Sequence, residues 1–96
     1  FGVAHPVHAA AACATALAAL PLPASPRTTL PVGRIGGGVT VNAIPDEGWL
    51  EVDVRSSAAD ALAHVERELR RTAHAAAYAE NLRRAEGTPP LSFAVE

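Results

Sequence analysis

Residues 32–56, VGRIGGGVTVNAIPDEGWLEVDVRS, leave the chain few ways to fold. From Trp49 to Arg55 the residues alternate, with Leu50, Val52 and Val54 on one side and Trp49, Glu51, Asp53 and Arg55 on the other. Successive strand side chains point to opposite faces, so this pattern predicts a half-buried strand over 49–55. A second strand is expected over 28–35, running into Gly36, Gly37 and Gly38, residues that open backbone conformations closed to others. Pro31 interrupts that strand, and a proline that cannot donate to a ladder is tolerated at a sheet edge. Between the strands lies Thr40-Val41-Asn42-Ala43-Ile44-Pro45. Hairpins usually close with two to five residues, and a connection about twice that long marks a functional loop.

Two helices flank this pair. Pro6 suits a first helical turn, and Val7, Ala10, Ala14, Leu17 and Ala18 follow at helical spacing until Pro21 stops the run. The alanines leave a smooth face that admits close approach by another backbone. The second helix is expected to open at Ser57, which with Asp60 has the form of a capping box. Its buried stripe is Ala58, Leu62, Val65, Leu69, Thr72 and Ala76, and Glu66, Arg67, Glu68, Arg70 and Arg71 form a solvated face. It fades between Asn81 and Gly87, and after Thr88-Pro89-Pro90 a last strand is expected over 91–95.

Composition narrows the function. A formal charge of −2 gives no broad attraction to nucleic acid or anionic lipid, and the strands lack paired aromatics for stacking bases. The alanine-rich stretch is too short to span a bilayer and has no basic residue before it, so neither a membrane span nor a secretory signal is expected. The single cysteine, Cys13, excludes an internal disulfide and fits a reducing, cytoplasmic setting. His5 and His8 are three apart on one helical face but have no carboxylate nearby in sequence, so they are expected to be structural, not metal ligands. His64 and His74 have no ligand spacing with each other. Asp53 and Arg55 share a strand face and are expected to pair with neighbours. Trp49, on the same outer face, calls for a covering partner.

Helix, strand, strand, helix, strand becomes the split βαβ arrangement once a strand is placed before the first helix. The expected fold is therefore α+β: a ferredoxin-like two-layer sandwich (βαββαβ, first strand missing or truncated) with two helices on one face of an antiparallel sheet. Phe1-Gly2-Val3 is too short for that strand, which points to one domain over residues 1–96 excised from a longer chain.

The ordered pieces His5-Pro6-Val7-His8-Ala9, Gly36-Gly37-Gly38, Asn42-Ala43-Ile44-Pro45 and Asp53-Val54-Arg55-Ser56 carry a resemblance. In this order they are similar to the dimerisation (lid) domain of the acetylornithine deacetylase, succinyl-diaminopimelate desuccinylase and glutamate carboxypeptidase family of zinc metallopeptidases. That domain opens its helix on Asn-Pro-Ile-His-Ala, ends a strand in a Gly-Gly turn, continues with Asn-x-Ile-Pro and closes a strand on Asp-x-Arg. The resemblance implies a non-catalytic domain that mediates a homodimer through its first helix and an edge strand, packs with the catalytic domain of the same chain and reaches the partner's active site. It places Asn42 at substrate in trans, and Val7, Ala10, Ala14, Thr28, Leu30 and Val32 at the dimer interface. The family's Gly-Gly-His-Ser-like segment, whose histidine serves the partner's site, precedes the first helix and has no counterpart here, so that role passes to neither His5 nor His8.

Zinc is implied for the parent enzyme, with no cofactor in this chain. A dizinc hydrolase needs several histidine and carboxylate ligands and a general base, and neither His-x-Asp nor Glu-Glu occurs in these 96 residues. These residues alone are not expected to hydrolyse anything. The competing expectation is a free-standing ferredoxin-like module that binds a ligand or regulates a partner, because one fold serves many tasks.

Overall fold

Strand pairing sets the frame. In the computed structural model, which describes residues 3–94, the order is α1 (Pro6–Ala18), β1 (Thr28–Thr29), β2 (Val32–Gly37), β3 (Gly48–Val52), β4 (Arg55–Ser56) and α2 (Ala59–Asn81). β1 pairs antiparallel with β4, and β2 with β3. The registers Thr28↔Ser56, Thr29↔Arg55 and Val32↔Val52 belong to one continuous ladder, and the Asp53 N–H donates to the Pro31 carbonyl at 3.0 Å in the gap. The two small sheets are thus one ribbon broken beside Pro31. The strands expected over 28–35 and 49–55 are both present, each in two pieces. Past Val32 the register shifts by one residue, to Arg34↔Glu51 and Ile35↔Leu50, leaving Gly33 as a bulge.

The alternation works as expected. Leu50, Val52 and Val54 are half-buried against the helices, while Glu51, Asp53 and Arg55 are exposed. Arg34 and Glu51 face each other and pair at 2.6 Å, and Arg55 pairs with Asp53 at 2.9 Å. Trp49 lies over Gly36 with the Arg34 guanidinium 5.1 Å from its ring centroid, so part of its cover comes from its own ribbon.

The helices pack on each other, α1 against β2 and β3 and α2 against β4, giving the α+β two-layer arrangement. Cys13, Leu17, Leu30 and Val65 form the buried centre, ringed by Leu22, Val52 and Leu69. Each fully buried aliphatic side chain contributes about 1.5–3 kcal/mol. On α1 the buried residues are Ala10, Cys13 and Leu17, so Cys13 joins the stripe and Ala18 leaves it. α1 stops at Ala18, and the Ala19 and Leu20 N–H groups bond back to the Ala16 and Leu17 carbonyls before Pro21 is reached.

Three further expectations fail. Leu62, expected in the buried stripe of α2, is exposed. Ser57 and Asp60 do not form a capping box: Ala58 is the N-cap of α2, with no side-chain cap bond. The ribbon runs on to Ser56, whose Oγ takes the Ala58 N–H at 3.4 Å, so the chain is still turning at residue 57. Residues 91–94 form no strand, and residue 95 lies outside the described residues. A strand needs a ladder partner, and among the described residues no strand pairs with this segment. The Asn81 carboxamide takes that place, accepting the Leu91 N–H at 2.7 Å and donating to the Leu91 carbonyl at 3.2 Å. The partial stub expected before α1 falls on residues 1–3. Residues 1 and 2 lie outside the described residues, and Val3 is in a bend.

Candidate functional site

The turn between β2 and β3 is built on glycine. Gly37 and Gly38 have φ of +147° and +85°, conformations that L side chains rarely adopt. A Cβ on Gly37 would lie 2.7 Å from Val7 Cγ2, and one on Gly48 would lie 2.5 Å from the Pro6 carbonyl oxygen. The base of the loop is therefore clamped against the first turn of α1. Beyond it residues 38–44 project away, with Val39 and Val41 essentially fully exposed. Asn42 stands at this tip, and its side-chain amide makes no hydrogen bond among the described residues. A free carboxamide donates and accepts without bringing charge.

The first turn of α1 has its own polar cluster. His5 is the N-cap: its Nδ1 accepts the His8 N–H at 3.3 Å, and the two imidazoles stack with centroids 3.7 Å apart and planes 11° from parallel. The His5 N–H donates to Glu80 Oε2 at 2.9 Å. Glu80, from the last turns of α2, is buried with only 7% exposure, and Arg83 lies 3.6 Å from its other oxygen. Sequence reasoning missed Glu80, although it stands four residues after Ala76 and extends the predicted stripe. Among the described residues no three His, Cys, Asp or Glu side chains come together as metal ligands. The groups present do not fit a zinc site.

The six residues expected at a dimer interface divide in two. Ala10, Thr28 and Leu30 are buried within the domain, while Val7, Ala14 and Val32 are half-buried. Thr28, Leu30 and Val32 share one strand face, and that face points at the helices. The Thr28 hydroxyl lies 3.1 Å from both Ser56 Oγ and the Pro26 carbonyl. What the strand offers outward is its backbone edge, since among the described residues β2 pairs only with β3.

At the far end of the ribbon from the loop is an open cleft of about 590 Å³, lined by Arg27, Thr29, Asp53, Arg55 and Ser57 among others. Arg55 is already paired with Asp53, whereas Arg27 has no ion pair among the described residues. The register that sets Thr29 opposite Arg55 brings these groups together, and it was not visible before the strands were paired. Cys13 is buried away from both regions, and burial raises its thiol pKa. No helix among the described residues is long and apolar enough to cross a membrane.

No curated protein matches the chain. A family model does, over residues 2–81, a span that takes in α1, the ribbon, the Asn42 loop and α2. The architecture and the ordered motifs agree with that match, and the chain belongs to the M20 peptidase dimerisation domain family.

Proposed function

We propose that this chain is the non-catalytic dimerisation and lid domain of a zinc-dependent peptidase or amidohydrolase, one domain of a longer cytoplasmic enzyme. It holds two copies together through α1 and the free backbone edge of β2, with Val7, Ala14 and Val32 at the margin of the contact. The catalytic domain of the same chain is its other neighbour. Zinc and the metal-activated water belong to that catalytic domain.

Asn42 is proposed to reach substrate in the partner's active site, where its amide pairs with a carboxylate or amide of the substrate. The observation behind this role is the loop itself. Its base is locked by Gly37 and Gly48 against α1, and its tip carries an exposed carboxamide with no hydrogen bond among the described residues. A rigid base with a free polar tip suits delivery of one group to another surface.

The test is Asn42→Ala in the intact dimeric enzyme. Loss of one substrate hydrogen bond worth about 0.5–1.5 kcal/mol lowers kcat/KM by about 2- to 12-fold while the dimer persists. Unchanged kcat/KM in a persisting dimer rules the role out.

A further inference from the structure

His5 does an unusual job. Helices are commonly capped by Ser, Thr, Asp or Asn, whose oxygens accept an N–H at any neutral pH. Here the acceptor is an imidazole nitrogen, Nδ1 of His5, which takes the His8 N–H at 3.3 Å. A backbone N–H only donates, so Nδ1 must keep its lone pair for the cap to exist. Imidazole is the side chain that changes charge within the range pH 5–8. The imidazolium carries a proton on both nitrogens and cannot accept. Its charge also opposes the positive end of the α1 dipole.

The surroundings make this residue a junction. On α1 the titratable neighbour is His8, stacked on the His5 ring at 3.7 Å. From α2, Glu80 takes the His5 N–H and is faced by Arg83. From the ribbon, Gly48 packs on the Pro6 backbone, and the charged residue beside it is Glu47. Glu80 holds the His5 backbone whatever the charge of the ring, so the partner that depends on protonation is the His8 N–H. Between that N–H and the loop stand only Pro6 and Val7, and these are the residues that crowd Gly48 and Gly37.

We propose that His5 is a proton-sensitive latch. Its neutral ring caps α1 and fixes the first turn against Gly37 and Gly48, and protonation releases the cap and loosens the base of the loop that carries Asn42. The device is independent of what Asn42 touches.

The test is an NMR titration of this chain from pH 8 to pH 5, following the His5 ring and the amides of His8, Gly37 and Gly48. The three amides are expected to shift with the same midpoint as the His5 ring, and His8 N–H exchange, corrected for its intrinsic pH dependence, to speed by about fivefold, the loss of one cap. Two variants isolate the cause. His5→Ser keeps a capping oxygen that does not titrate, so the pH response at all three amides should vanish while the fold remains. His8→Ala removes the stacked ring and should leave the response in place. Amides that stay still through the His5 titration overturn the latch. So does a response that survives in His5→Ser, or one at His8 that fails to reach Gly37 and Gly48.

Discussion

Replacing Gly48 by alanine tests the contact between α1 and the ribbon, on which the placement of the loop depends. The added Cβ would sit 2.5 Å from the Pro6 carbonyl oxygen, 2.7 Å from its carbon and 2.9 Å from the Val7 nitrogen. Ordinary contact begins at 3.4 Å, so helix and strand must part by about 0.9 Å. All three obstacles are backbone atoms, which cannot rotate aside as a side chain would. Overpacking of this kind costs about 1–3 kcal/mol, and the rigid surroundings put Gly48→Ala at about 2–3 kcal/mol. For a domain of this size each kcal/mol is worth about 4–8 °C, so the midpoint should fall by about 10–20 °C. Gly33→Ala is the control on the same ribbon: its nearest obstacle is 3.9 Å away, and it should stay within about 0.5 kcal/mol of the parent. Urea and thermal unfolding followed by circular dichroism read both variants. Equal midpoints for Gly48→Ala and the parent would refute the packing of α1 on β3.

Leu17→Ala empties the centre of the core beside Cys13, Leu30 and Val65 and should cost about 2–5 kcal/mol by urea unfolding. The Cys13 thiol should resist alkylation in the native chain and react freely in denaturant. Its pKa is raised by burial, so its contribution to stability is complete below the ordinary value of 9.0 and is lost as pH rises beyond it, which unfolding at pH 8 and above will show. Asn81→Ala removes both bonds to Leu91 and should abolish protection of the Leu91 amide in hydrogen exchange, at a global cost of about 1 kcal/mol.

Much of the fold was legible where one period governs one element. The Leu50, Val52, Val54 row predicted a half-buried strand, and Val65, Leu69 and Thr72 predicted the inner face of α2, because each pattern reports burial directly. Pro31 announced the break in the edge strand. What stayed hidden depends on partners distant in sequence. Ser57 and Asp60 look like a cap locally, yet β4 continues to Ser56 because Thr28 lies across from it. Residues 91–94 have strand composition, but composition cannot supply a ladder partner. The bulge at Gly33, the bond from Glu80 to His5 and the cleft beneath Arg27 each join segments that only the tertiary fold brings together. The loop was conspicuous by its length, while its clamp rests on Pro6 and Val7, about thirty to forty residues earlier. The interface residues show the same limit. The resemblance that put Thr28 and Leu30 at a dimer interface could not say whether their side chains meet a partner or the chain's own helices, and both are buried within the domain.

Self-association is the property on which the functional account rests. The direct measurement is the solution mass of this chain by light scattering across a dilution series. A species near twice the 9.9 kDa chain mass, dissociating on dilution, is the expected result. A mass of one chain at every concentration would contradict the assignment of the dimer contact to α1 and the β2 edge.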